Sequence, residues 1–270
     1  MRTNSDTALI TGASSGIGAT FARQLAEKGY SLILIARRQD RLASLADELQ
    51  QAHSVRVETL VSDLANLNDI KTVEKHIGRL EHLSMLVNNA GFGTTGNFAE
   101  LDVAKQIDMI NVHIIASVRL CRAALPGMIA RHQGTIINLA STAAFVPIPG
   151  HIMYNATKAY LVFFSEALQA ELVRTGVNVQ ALCPGFTYTE FHDTSEFKNF
   201  NRFRIPKPLW MSAEDVVSKS LKALKRNHTV YIPGFINRCY VAAMRNRMIS
   251  PLLFRFVKRK SRELHESRAN

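Results

Sequence analysis

TALITGASSGIGATFARQLAEK, residues 7–28, sets a short strand-like run against a glycine-rich turn and then a stretch of helical period. Thr7–Thr11 reads as a strand and Ile17–Lys28 as a helix, with only a few residues between them. A strand that enters a helix through glycines lets the backbone approach an anion closely. The helix N-terminus adds unpaired N–H groups and a partial positive charge. Here the spacing is Gly12-xxx-Gly16-x-Gly18, with Ser14, Ser15 and Ile17 in the same turn, and it differs from the commoner G-x-G-x-x-G. A glycine cluster alone marks any tight turn. At the first strand–helix junction it is a candidate pyrophosphate cradle.

The same alternation continues outward from that stretch. Ser31–Ala36, Val55–Val61, Leu83–Asn88, Thr135–Ala140, Val177–Cys183 and Thr229–Ile232 read as further strands. All but the last are continuously apolar, as strands covered on both faces should be. Helical patterns lie between them at Gln39–Gln51, Asn66–Arg79, Asp102–Arg131, Ile152–Arg174 and Ala213–Arg226. Strand and helix taking turns implies right-handed crossovers and an α/β fold, a single doubly wound parallel sheet with helices on both faces.

A chain of 270 residues is an ordinary length for one such domain. No uninterrupted apolar run has the length a membrane span needs, and the strand pattern starts too early for a secretory signal. Cys121, Cys183 and Cys239 show neither metal-ligand nor redox-pair spacing, so no metal is expected and a reducing cytoplasm fits. The net charge of +11 is uneven. Residues 1–197 carry 16 Lys+Arg and 18 Asp+Glu, whereas residues 198–270 carry 17 and 4. A nearly neutral body with a basic appendage argues against a general nucleic-acid binder.

The end of the second strand addresses which dinucleotide would fit. An acid there would bond a ribose 2′-hydroxyl; this chain has Ala36 followed by Arg37 and Arg38. Two guanidiniums suit a 2′-phosphate, so NADP(H) is expected over NAD(H). The bland alternative is a solvated helix start, with Arg41 nearby and Asp40 available to pair. Asp63, ahead of Leu64 at the end of the third strand, is placed either to accept from an adenine amino group or to cap the next helix.

HIMYNATKAY, residues 151–160, sets Tyr154 and Lys158 one helical turn apart. TGASSGIG (11–18), NNAG (88–91), Asn111, Ser141, this Tyr-xxx-Lys pair and Pro184-Gly185 together resemble the short-chain dehydrogenase/reductases. The likeness covers roughly residues 6–232. It implies a Rossmann-type domain moving hydride between NAD(P) and an alcohol or carbonyl. It also implies a catalytic quartet of Asn111, Ser141, Tyr154 and Lys158, with Lys158 on the nicotinamide ribose and Asn111 helping to hold a water. Asn89, Ala90 and Gly91 would border the adenosine ribose, and Pro184, Gly185 and Thr187 would pass beside the nicotinamide. The chemistry agrees. A free phenol ionises near pH ~10, and a neighbouring ammonium is expected to lower that value so that Tyr154 can exchange its proton. Ser141 would steady the substrate oxygen. Bland alternatives stand beside these roles: Ser141 as a strand-end cap, Asn111 as a satisfied buried amide.

Two stretches break the rhythm. Residues 185–211 form a long connection carrying Phe186, Tyr188, Phe191, Phe197, Phe200, Phe203 and Trp210, which suits a lid over an apolar carbonyl or alcohol substrate. His151 and His192 lie near it without a defined role. Residues 233–270 follow the domain of residues 1–232 as a basic extension. Phe235, Ile236, Tyr240, Val241, Met244 and Met248 recur there at helical spacing among Arg238, Arg245 and Arg247, and LLFRFVKRK follows Pro251. Such a segment either touches an anionic membrane surface peripherally or packs on protein, over the pocket or in a homo-oligomer of two or four copies. Nucleic acid is not an expected partner, since few of the basic residues alternate with stacking aromatics. The expected activity is NADPH-dependent reduction of an apolar carbonyl, reversible as an alcohol dehydrogenase. The competing reading is a dinucleotide-binding sensor or scaffold that has lost turnover.

Overall fold

A computed structural model of the chain describes residues 6–197 and 200–245. The described strands are β1 (Thr7–Thr11), β2 (Ser31–Ala36), β3 (Val57–Val61), β4 (Leu83–Asn88), β5 (Gly134–Leu139), β6 (Val177–Leu182), β7 (Phe186–Tyr188), β8 (Trp210–Ser212) and β9 (Val230–Tyr231). Seven of them pair in parallel in the order β3-β2-β1-β4-β5-β6-β9. β7 and β8 form a separate parallel ribbon. The helices are α1 (Gly16–Ala26), α2 (Gln39–His53), α3 (Leu67–Ile77), α4 (Val103–Ile110), α5 (Ala116–Ala130), α6 (Ile152–Glu171), α7 (Ala213–Ala223) and α8 (Phe235–Arg245). The order of strands reverses direction between β1 and β4, and in such sheets ligands bind at that switch point.

The continuous apolar strands are explained by what covers them. In β1, Ala8 and Ile10 are buried with Phe21 and Leu25 of α1 and Val216 of α7. Leu9, one residue away, faces the opposite side with Ile70, Val73 and Leu120. Both pleat faces are dry, so no polar alternation is tolerated. Each fully buried Leu or Phe side chain adds roughly 1.5–3 kcal/mol of burial free energy. Side-chain caps fix several helix starts: Asn66, Asp102 and Ser212 each accept a backbone N–H of the first turn. α2 stops where Ser54 takes a left-handed φ of 53°.

The helix expected over Asp102–Arg131 is one run interrupted by a π-turn at Asn111–Ile115. Val103–Ala130 is long and apolar enough, by length and composition, to cross a membrane. Its Leu120, Cys121, Ala124 and Met128 are nevertheless buried in the sheet core, the position of a core helix. The long connection after β6 is more ordered than its sequence suggests, built from β7, four short 3-10 turns and β8. α8 buries Asn237, Val241 and Met244. The Arg245 guanidinium lies 5.5 Å from the centre of the Phe145 ring. The start of the basic extension therefore packs on protein, with Phe235, Ile236 and Tyr240 left exposed. Met248, Arg247 and residues 252–260, on which the membrane expectation chiefly rests, lie outside the described residues.

Candidate active site

The carboxyl ends of β1, β4, β5 and β6 converge at the switch point. After β1 the chain turns through Gly12 (φ +65°) and Gly16 (φ +53°), left-handed conformations that favour glycine. A Cβ on Gly12 would lie 2.8 Å from the Ala90 Cα, so the loop rests directly on the end of β4. Asn89 locks this contact by donating from Nδ2 to the carbonyls of Thr11 (2.8 Å) and Gly12 (3.2 Å). Ser15 stands at the N-cap of α1 without making a side-chain cap, so its hydroxyl does not cover the first-turn N–H groups of Ile17 and Gly18. Asn88 does different work: its amide donates to Asn138 Oδ1 at 2.8 Å, and Asn138 donates to Ser165, tying β4, β5 and α6 together.

β5 delivers Ser141 and α6 delivers Tyr154 and Lys158 to the other side of the cleft. Ser141 Oγ accepts from the Ala143 N–H at 3.1 Å, and its hydroxyl is near enough to the Tyr154 phenol to act against the rise in its pKa. Its cap and its contact with the phenol coexist. Lys158 Nζ donates to the Leu139 carbonyl at 2.7 Å and lies 5.6 Å from the centre of the Tyr154 ring. Asn111 opens the π-turn and donates from Nδ2 to the Ala65 carbonyl at 3.0 Å. π-turns within helices recur at functional sites because they re-aim one residue without ending the helix.

The electrostatics of this cluster differ from the expectation. Burial pushes the Tyr154 phenol up to about 12, against a smaller lowering by the nearby Ser141 hydroxyl. Burial also pushes Lys158 down to about 7, opposed by Cys183. An ammonium losing its own charge to desolvation cannot strongly acidify a neighbour. The reason is visible in the lid, where Phe191 lies 5.7 Å from Tyr154 ring to ring, with Phe197 5.3 Å beyond it. In this closed arrangement aromatic rings stand beside the phenol.

The arginines are arranged differently from the sequence reading. Arg37 turns towards Asp63, 3.8 Å away. Arg38 donates to Ser14 Oγ (3.0 Å) and Ser15 Oγ (2.7 Å), and Arg41 joins it on a shared partner, Glu190 of the lid. Arg38, at the N-cap of α2, and Arg41, in its first turn, thus share one carboxylate, while Arg37 lies apart from them. Asp63 accepts from the Ala65 N–H at 3.0 Å, and the cap of α3 is Asn66, so the capping alternative for Asp63 does not hold. Leu64 is buried in the core. Thr187 Oγ donates to the Gly185 carbonyl at 3.1 Å, and Gly185 lies under α8, where a Cβ would meet Asn237 Oδ1 at 2.6 Å. Pro184 accepts from the Thr142 N–H at 2.9 Å and so joins the end of β6 to the Ser141 turn.

His113 belongs to the site although its sequence context reads as plain core. Its Nε2 accepts from the Phe92 N–H at 3.2 Å, which leaves the proton on Nδ1 to donate to Thr157 Oγ at 2.8 Å. Thr157 in turn donates to the Tyr154 carbonyl at 3.0 Å. Full burial and nearby Lys158 hold His113 well below the usual imidazole range, so it is a neutral brace. His151 stacks on Phe197, and His192, lowered to about 4 mainly by burial, stacks on Phe200.

These residues fit a dinucleotide. The turn at Gly12–Gly18 leaves helix N–H groups without a side-chain cap, and two guanidiniums with two serine hydroxyls form an anion-binding corner beside it.

Residues 6–199 match the short chain dehydrogenase family. Sulfoacetaldehyde reductase 2 of Chromohalobacter salexigens is 42% identical over 193 residues, which is 69% of this chain and 75% of that protein. The structure of a short-chain dehydrogenase from Sphingobium yanoikuyae in complex with NADPH aligns with a TM-score of 0.79 at 35% identity, covering 85% of this chain and 88% of that one. That of the bulky-bulky ketone specific alcohol dehydrogenase from Comamonas testosteroni gives a TM-score of 0.76 at 32% identity, over 86% and 87%.

Proposed function

The chain belongs to the short chain dehydrogenase family of oxidoreductases, and from that premise we propose that it is an NADP(H)-dependent reductase of an apolar carbonyl compound, reversible as an alcohol dehydrogenase. The observation that carries this reading is the meeting of Tyr154, Ser141 and Lys158 at one end of the cleft with an Arg38–Arg41 corner at the other. The NADPH bound to the Sphingobium relative and the ketone specificity of the Comamonas relative support the cofactor and the substrate class.

NADP(H), when bound, supplies or accepts the hydride. Gly12, Gly16, Gly18 and the first turn of α1 would hold its pyrophosphate, Arg38 and Arg41 its 2′-phosphate, and Asn89–Gly91 the adenosine ribose. Arg37 and Asp63 would border the adenine, and Pro184–Thr187 would line the nicotinamide side. Ser141 then orients the substrate oxygen through its hydroxyl, beside the phenol it already contacts. Tyr154 donates its proton to that oxygen during reduction and recovers one in the reverse direction. The phenol is protonated at neutral pH, the form a general acid needs, and burial only strengthens that preference. Lys158 stands beside it to resupply the proton and to bond the nicotinamide ribose, while Asn111 holds the π-turn on Ala65. The aromatic lid dries the pocket and suits bulky apolar ketones.

Around this centre, buried unpaired Cys121 and Cys183 support a reducing cytoplasmic setting. Exposed apolar side chains on α4 and α6 support a homo-oligomer. The retired-sensor reading draws on the same closed lid, because Phe191 stands where a turnover pocket is needed. The two are separated by incubating the protein with NADPH and a panel of hydrophobic ketones and following the loss of reduced-cofactor absorbance. Reductase activity predicts substrate-dependent loss; NADPH binding with no loss on any ketone, unchanged in Tyr154→Phe, would establish the sensor.

A further inference from the structure

Three consecutive lid residues touch three parts of the proposed cofactor and substrate site. Thr189 sits over the glycine loop, where a Cβ on Gly16 would come within 3.1 Å of it. Phe191 lies against Tyr154. Between them, Glu190 places one carboxylate oxygen on each of two guanidiniums, Oε2 at 3.0 Å from Arg38 Nη1 and Oε1 at 2.5 Å from Arg41 Nη1. These partners are about 150 residues away in sequence, separated by 152 and 149 positions. The two arginines hold Glu190 below the usual carboxylate range, Arg41 contributing most.

A carboxylate and a phosphate accept the same forked guanidinium bonds, and one pair of arginines cannot satisfy both at full strength. Glu190 is 51% exposed, and Arg38 and Arg41 are 41% and 45% exposed. Water-screened pairs of this kind are weak, so an anion of higher charge can displace the carboxylate. Arg38 also bonds Ser14 and Ser15 of the glycine loop, so it can pass from one anion to the other without being rebuilt.

We propose that Glu190 is an internal stand-in for the 2′-phosphate of an adenine nucleotide. It latches the lid through Arg38 and Arg41, and arrival of a 2′-phosphate displaces it and releases Phe191 from Tyr154. Glu190 thereby tunes nucleotide affinity: a nucleotide carrying the 2′-phosphate must displace it, whereas one without that phosphate binds with the latch in place. This rests on the NADP(H) reading above.

The protein carries its own reporter. Trp210 is its single tryptophan, stacked at 4.7 Å on Tyr188, two residues before the latch, and 5.6 Å from His192. Two probes without nicotinamide, 2′,5′-ADP and 5′-AMP, would be titrated into the full-length wild type and Glu190→Gln by calorimetry, with Trp210 emission recorded in parallel. In the wild type, 2′,5′-ADP should bind at least about tenfold more tightly than 5′-AMP, and only the former should change the emission. In Glu190→Gln, affinity for 2′,5′-ADP should rise about three- to tenfold with 5′-AMP changed less than about twofold, and the ligand-free emission should already resemble the liganded wild type. Glu190→Ala should behave alike. No preference between the probes in the wild type would sink the NADP(H) reading and the latch together. A clear preference that is no stronger in either Glu190 variant, or equal tightening of both probes, would overturn the latch alone.

Discussion

At the residue scale, the site is governed by what burial does to two ionisable groups one turn apart. Tyr154 is pushed up and Lys158 down, both chiefly by desolvation. Lys158 offers the cleaner test. Its folded value of about 7 lies below the ordinary 10.5, so between those values the unfolded chain binds more protons and stability must rise with pH. The penalty for burying Lys158 is full below pH ~7 and vanishes above ~10.5. Urea unfolding of the wild type and Lys158→Met from pH ~7 to ~10 should show the wild type gaining on the variant by a few kcal/mol. The variant is the needed reference because the thiols of Cys121 and Cys183, raised by burial, act with the opposite sign at the alkaline end. A constant difference would mean that Lys158 is not desolvated. The Tyr154–Lys158 pair was legible in sequence because a four-residue spacing on a helix is a contact. Arg41 and His113 were not. An arginine on a helix surface looks solvated until a distant carboxylate is folded onto it, and a lone histidine in an apolar helix looks like core.

At the element scale, strands were legible almost to their ends because their buried positions are nearly all apolar, Asn88, Asn138 and Gln180 being exceptions, and helices because their apolar positions recur at helical period. The lid and the start of the basic extension were only half legible. Three-residue strands such as Phe186–Tyr188 carry too little period to reveal their pairing with Trp210–Ser212, which is set by ring stacking across the ribbon. The aromatic count announced rings that pack together, but not that Glu190 would be drawn to Arg38 and Arg41. For α8, the apolar spacing was readable and its inward face was not, since Asn237 rather than a larger apolar residue meets Gly185. That contact has a consequence. Gly185→Ala places a methyl 2.6 Å from Asn237 Oδ1, so the buried Asn237 side chain must move against the rest of α8. The expected cost is about 1–3 kcal/mol, with faster proteolysis at residues 235–245 than at the sheet. Unchanged stability and cleavage would show that α8 is not seated on the loop after β6.

For the whole molecule, the alternation of elements dictates a parallel sheet, while the strand order follows from crossover handedness and from the switch point that the glycine loop marks. What one chain leaves uncovered is also informative. Phe163 is 75% exposed on α6 and Val103 71% exposed on α4, with Ile107 and Tyr160 nearby in sequence on the same two helices. Covering these by a second copy predicts that sedimentation finds more than the 30.1 kDa of one chain and that Phe163→Asp shifts the distribution towards the monomer. A wild-type monomer, or a dimer indifferent to that change, would assign the exposed face another use.

The most direct test is deuterium transfer from NADPH carrying deuterium at both nicotinamide C4 positions to the carbinol carbon of a bulky ketone's product, read by mass spectrometry. One deuterium per alcohol is expected in the wild type. In Tyr154→Phe transfer should be about 10²–10⁴ times slower, with NADPH affinity nearly unchanged. Transfer at an undiminished rate without the phenol, or an alcohol that never carries the label, would contradict the proposed reaction.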